Sequence, residues 1–260
     1  MTARRTEATP LSLLPALRSH LWFASCPVPL QEGLINLSRL WHLDAGETLF
    51  ARGGDHDGLC CVVAGALRVG SVSPHEGAQQ ITAYLEPYQW FGEIALIDSL
   101  PRSQDAVADT DSTVLAVPKV LLEPWLNEHP QYWRDMARLA CTKVRMMLMA
   151  MEDNATLPIE QQLARRLLYS ATSYGHSASP KARRHLRLPQ EYLARMLGVS
   201  RQTVNKALKS LANDQLIAVR YAEIEITDMA GLMMRAGPVE SPLWGRVQLP
   251  DVGVPPDPVV

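Results

Sequence analysis

Between residues 34 and about 120, short apolar runs alternate with glycine, aspartate and proline: DAGETLFARGGDHDG, LCCVVAGALRVGSV, QQITAYL and STVLAV. Runs of strand length with a glycine at most turns predict a compact β-barrel or jelly roll. Gly46, Gly53, Gly54, Gly58, Gly65 and Gly70 mark its turns or bulges. After Pro130 the period changes. Neither glycine nor proline interrupts the chain from there to Asn154, and Trp133, Ala137, Ala140, Val144, Met147 and Met151 recur at alternating steps of four and three. That is the a/d stripe of one long helix. The stripe suits packing on the helix's own β-domain or on a second copy. Its Trp, Met and small Ala content favours a parallel homodimer, flanked by Arg134, Asp135, Arg138, Lys143 and Arg145.

Pro158 opens a second helix, PIEQQLARRLLYSATSYG, which Gly175 ends. HSASPKARRH reads as a loop. A further helix pair ends near Asn213, and LIAVRYAEIEITD reads as two short strands forming a wing. From about Gly237 the chain is rich in Pro and Gly without periodicity and reads as an extended appendage in which Trp244 could anchor locally. The expected organisation is α+β. A lead-in occupies 1–33, an N-terminal β-roll (jelly roll) 34–127, a dimerisation helix 128–156, a winged helix-turn-helix 157–232 and a tail 233–260.

The segment LPQEYLARMLGVSRQTVNKALKSL carries the most specific pattern. Ala194 sits where two helices must pass closely. Gly198, four residues later, falls in the turn, where positive φ is needed. Ser200 is a good N-cap for the second helix. Val204 and Leu208 would face Leu193 and Leu197, leaving Arg201, Lys206 and Lys209 outward. A helix presented in this way enters the DNA major groove with its N-terminal residues toward the base edges. Arg201 can pair with guanine O6 and N7, Gln202 with adenine N6 and N7, and Lys206 with guanine or phosphate. Ser200, Thr203 and Lys209 suit phosphate, and Asn205 shares the same exposed stripe.

The net charge of −2 does not by itself point to nucleic acid, but its distribution does. Between Lys181 and Arg220 there are nine basic residues against Glu191 and Asp214, so the rest of the chain is acidic. The four cysteines, Cys26, Cys60, Cys61 and Cys141, lack the spacing of a zinc, redox or iron–sulfur site and read as reduced thiols. The seven histidines are scattered, and none stands out as a haem ligand. No nucleophile–base pair, metal-ligand spacing or Walker loop is legible, so an enzyme is not expected. Neither an export signal nor a membrane span is seen, and the expected location is the cytoplasm.

In this order, the β-roll opening DAGETLFARGGDHDGLCCVVAGALRVG, the long helix and GVSRQTVNKALKSL resemble the cyclic-AMP receptor protein and fumarate–nitrate regulator (CRP/FNR) superfamily over residues 34 to 230. The resemblance implies a homodimer reading an inverted repeat in double-stranded DNA, with RNA polymerase as a further partner. FGEIALIDSLPRS resembles the family's phosphate-binding cassette. It implies that Glu93 meets a ribose hydroxyl, Arg102 the cyclic phosphate, Ser103 donates to it, and Gly92, Ile94 and Ala95 supply close backbone. Two departures stand out. Gln202 replaces the glutamate common in relatives, which shifts preference from cytosine to adenine. Gln104 and Asp105 follow the cassette where small or hydroxyl residues are usual, and only Cys141 and Thr142 stand near a base-contacting Thr-Ser pair. Three readings of the β-roll therefore stay open: cyclic AMP or another cyclic nucleotide, a different small effector, or action without an effector. A nucleotide-binding signalling module without a DNA role is the alternative that the basic helix argues against.

Overall fold

A computed structural model describes residues 4–5, 10–55, 58–72, 79–172, 184–220 and 223–238. The start of the loop read at 176–185, with Lys181 and Arg183, and the tail beyond Pro238 lie outside the described residues. Two units divide the chain, Met1–Glu152 and Asp153–Val260.

The first unit runs β1 (Arg4–Arg5), α1 (Leu14–Leu17), α2 (Leu21–Ser25), α3 (Val28–Leu37), β2 (Arg39–Leu43), β3 (Thr48–Phe50), β4 (Gly58–Ala64), β5 (Leu67–Val72), β6 (Gln79–Leu85), β7 (Trp90–Phe91), α4 (Glu93–Asp98), β8 (Asp105–Ala108), β9 (Ser112–Pro118), α5 (Lys119–Glu128) and most of α6 (Trp133–Thr156). Its strands form two antiparallel sheets, ordered β1-β2-β9-β4-β7 and β3-β8-β5-β6. The β-roll read from the apolar runs is therefore present. LCCVV is a continuous apolar run because β4 is buried on both faces. Cys60 and Val62, with Val114 and Ala116 of β9, join Leu67, Ala106 and Phe91 between the sheets. Leu59, Cys61, Leu115 and Val117 point the other way, into a second core made with helices.

That second core changes the standing of the N-terminal segment. Leu17, Trp22, Phe23, Leu30, Leu34 and Ile35 are buried in it, together with Leu122, Leu126, Met136 and Leu139. The Phe23 ring stacks on Trp90 at 5.1 Å, and the Trp22 indole donates to the Asp135 carbonyl at 2.7 Å. What reads in sequence as a lead-in ending at residue 33 is a helical cover for the outer sheet, and α3 runs across that boundary.

The second unit holds the end of α6, α7 (Ile159–Ala171), β10 (His185–Leu186), α8 (Gln190–Leu197), α9 (Arg201–Asn213), β11 (Ile217–Arg220), β12 (Glu223–Ile226) and α10 (Met229–Ala236). α7 ends at Ala171, where the Thr172 hydroxyl turns back onto the Leu168 carbonyl at 2.9 Å, and Gly175, expected as its cap, lies outside the described residues. The wing has three strands, ordered β10-β12-β11, since His185 and Leu186 add an edge strand to the expected pair. α7 packs on α9 and α10, burying Leu163, Leu167, Leu168, Val204, Leu211 and Leu232. α10, capped by the Asp228 carboxylate on Gly231 N at 3.0 Å, spans the boundary expected at 232/233.

Candidate functional site

The helix pair α8–α9 is built as its residue pattern requires. Gly198 takes φ +65°, a left-handed turn that closes α8, and a Cβ there would meet nothing, so the demand is purely conformational. Ser200 caps α9, its hydroxyl accepting from Thr203 N at 3.1 Å. Leu193, Ala194, Leu197, Val204 and Leu208 are buried between the helices. Arg201, Gln202, Lys206 and Lys209 are exposed, and Thr203 and Asn205 half-buried. Arg201, Lys206 and Lys209 have no ion pair with a described residue. Other basic groups of the segment are committed: Arg195 to Glu191, Arg220 to Glu225 at 2.9 Å, and Arg184 to the carbonyls of Ile226 and Thr227. Of the described basic residues between 184 and 220, Arg187 is also exposed, and the three on α9 share one helix that a groove could admit.

In the β-roll, Gly92 precedes α4 at φ +94°, and an added Cβ would lie 2.7 Å from both Arg102 Nη1 and the Gly58 carbonyl oxygen. Only glycine fits there, for reasons of conformation and of space. Arg102, 4% exposed, donates to the Gly58 carbonyl at 2.9 Å and the Gly92 carbonyl at 3.2 Å, and its guanidinium stacks 4.0 Å from the Phe50 ring centre. Its Nε is buried without a hydrogen-bond partner among the described residues. A buried, unspent N–H on a cation beside a glycine turn suits an anionic oxygen. Glu93, 1% exposed, receives the Lys143 ammonium of α6 at 2.6 Å. Ala95 lies on the buried face of α4, while Ile94 and Ser103 are exposed.

The departures noted in the cassette resolve unevenly. The Asp105 carboxylate is occupied by Arg52 N at 2.7 Å, so it serves the chain turn rather than opposing a phosphate. Thr142, a stand-in for a base-contacting hydroxyl, donates to the Arg138 carbonyl at 2.8 Å and has spent its hydrogen on its own helix. The pocket's parts therefore fit a phosphate better than they fit a particular base.

The stripe on α6 separates into two faces. Tyr132, Met136 and Leu139 pack on the chain's own β-roll, while Trp133, Ala137 and Ala140 are half-buried. Farther along, Val144, Met147, Leu148 and Met151 stand out at 53%, 61%, 59% and 62% exposure. Leu148 was not in the expected seam, although its place one residue after Met147 widens the stripe to a three-position face. Of the residues expected to flank the seam, Lys143 turns to the β-roll and meets Glu93, while Asp135 is buried and pairs with Arg138 of the same helix at 3.2 Å. Sequence reading missed the Lys143–Glu93 and Arg102–Phe50 contacts, whose partners lie far apart in the chain.

Comparison with known proteins agrees with this architecture. Residues 40–129 match the cyclic nucleotide-binding domain family, and residues 161–235 the Crp-like helix-turn-helix domain family. A CRP-like cAMP-activated global transcriptional regulator of Mycobacterium tuberculosis is 27% identical over 191 residues, 74% of this chain and 85% of that protein. The HTH-type transcriptional regulator Cmr of the same species is 28% identical over 232 residues, 85% of this chain and 89% of Cmr. A solved CRP/FNR-family regulator from Thermus thermophilus shares the fold, with a TM-score of 0.59 at 23% identity, covering 76% of this chain and 98% of its own. With a β-roll followed by a winged helix-turn-helix, and relatives of the same build, the chain belongs to the CRP/FNR superfamily of transcription regulators.

Proposed function

We propose that this regulator acts as a homodimer on an inverted repeat, with Arg201, Gln202 and Lys206 reading bases and Ser200, Thr203, Asn205 and Lys209 meeting backbone or flanking groups. The observation that carries the reading is the exposed apolar ridge Val144–Met147–Leu148–Met151 on α6, the helix that leads from the β-roll toward the DNA-reading unit. An apolar ridge of this kind needs a partner, and a second copy offers the same ridge. A cyclic nucleotide is the effector class that the β-roll supports best. Arg102 and the Gly92 turn would hold its phosphate, with Ser103 beside them, and Glu93 with Lys143 a sugar hydroxyl.

One observation favours a second reading, in which the protein acts without an effector. The Arg102 guanidinium already rests on two carbonyls and Glu93 already has its counter-ion. Calorimetry with cyclic AMP, cyclic GMP and cyclic di-GMP, paired with salt-dependent binding of a duplex selected from a random library, separates the two. Binding that raises DNA affinity and vanishes in Arg102→Ala supports the effector reading. DNA binding indifferent to all three supports the second. Failure to bind any duplex at low salt refutes the DNA role.

A further inference from the structure

α6 ends at Thr156 and α7 begins at Ile159, so only Leu157 and Pro158 connect them. Such a short joint is free to swing unless side chains hold it. The last turn of α6 carries Asp153, buried to 6% exposure. This is a poor place for a carboxylate. Burial opposes its charge, and so do the unpaired carbonyls at a helix C-terminus. It is sustained by α7. Arg165 pairs with one carboxylate oxygen, and the Tyr169 hydroxyl donates to the other at 3.0 Å. Burial, then the Asp153 charge, holds the Tyr169 hydroxyl well above its ordinary pKa, so it stays a donor.

The same arginine reaches further. Its Nε donates to the Ala236 carbonyl at 2.9 Å and its Nη2 to the Pro238 carbonyl at 2.6 Å, closing the C-terminal end of α10. Gln161 adds a bond to the Ala236 carbonyl at 3.0 Å. Gln162 caps the end of α6, donating to the Leu157 carbonyl at 2.7 Å and the Asn154 carbonyl at 3.3 Å. One face of α7 thus binds the end of the long helix and the end of the last helix at once, through a guanidinium whose three nitrogens are all spent.

We propose that Asp153 and Arg165 are positioning residues for operator recognition: their buried pair fixes the last turn of α6 to α7 and α10, so that a dimer presents its two recognition helices at one half-site spacing. This rests on the dimeric DNA reading above. A clamp of fixed geometry makes the protein sensitive to spacer length, because one base pair moves a half-site by about 3.4 Å and turns it by about 35°. A loose joint absorbs that change.

The test uses the full chain and duplexes bearing two inverted copies of a half-site selected from a random library, with the spacer varied one base pair at a time. Wild type should lose affinity about tenfold or more for each step from its preferred spacer. The double variant Asp153→Leu/Arg165→Met replaces the pair with apolar groups and leaves no unpaired charge, so it should stay folded and dimeric. It should bind the preferred spacer more weakly and discriminate among spacers less than about threefold. A merely structural loss would lower all spacers by one factor. A folded double variant with the wild-type spacing profile overturns the proposal. Should circular dichroism show that variant unfolded, Tyr169→Phe is read instead: a partly flattened profile supports the clamp, and an unchanged one overturns it. A wild type without spacing preference sinks the dimeric reading, and the clamp with it, and is told apart by the wild-type profile alone.

Discussion

Leu148→Ala gives the sharpest measure of whether the α6 ridge is a dimer seam. Leu148 is 59% exposed in the single chain. Burying a whole leucine side chain is worth about 1.5–3 kcal/mol, so covering the exposed part is worth about 0.9–1.8 kcal/mol. In a two-fold dimer the residue occurs on both sides, and its loss counts twice, about 1.8–3.5 kcal/mol. At about 1.4 kcal/mol per factor of ten, the dimer dissociation constant should rise about 20- to about 300-fold. The monomer should be unaffected, because Leu148 has little of its own fold to lose. Sedimentation equilibrium across a protein dilution series reads the constant, and urea unfolding of the monomer supplies the control. Val120→Ala, at another exposed apolar site (78%) on α5, should leave the constant unchanged. A Leu148→Ala protein that dimerises as tightly as wild type, or that loses monomer stability instead, would refute the seam.

Four other outcomes follow from the residues and their packing. Arg201→Ala should cost about 1–3 kcal/mol at the selected site and relax base choice there, while Gln202→Glu should move preference at one position from adenine toward cytosine; repeating the library selection shows whether either base preference stays put. Ser200→Ala removes the acceptor for Thr203 N and should lower stability by about 1 kcal/mol, read as a shift in urea midpoint at constant slope. Burial raises the Cys61 thiol, and burial followed by the Asp135 charge pushes Cys26 up to about 12, while Cys60 is buried and Cys141 exposed. Under native conditions near pH 8, iodoacetamide should therefore modify Cys141 first, with mass spectrometry after proteolysis naming the site; early labelling of Cys26 or Cys61 contradicts the packing.

The N-terminal segment shows where sequence reading stops. Its short helical pieces carry no long period, so nothing local reveals that they are core. Trp22 and Phe23 are buried because β4 and β9 are apolar on both faces, and the outer face of that sheet must be covered. The cover then ties itself to the start of α6 through the Trp22–Asp135 bond, across 113 residues of sequence.

The β-roll, the long helix and the helix-turn-helix were legible in the chain itself, because each is announced by local signals: a strand-length apolar run with glycine turns, a heptad stripe, and the small–Gly–Ser spacing at Ala194, Gly198 and Ser200. Tertiary structure alone decided which side of α6 faces the β-roll and which faces outward, since one heptad stripe serves either use equally. It also decided the partners of the charged groups. Arg102 reaches Gly58 across 44 residues and Lys143 reaches Glu93 across 50. Those pairings depend on where the sheets close, a property of the whole fold that no window of sequence contains.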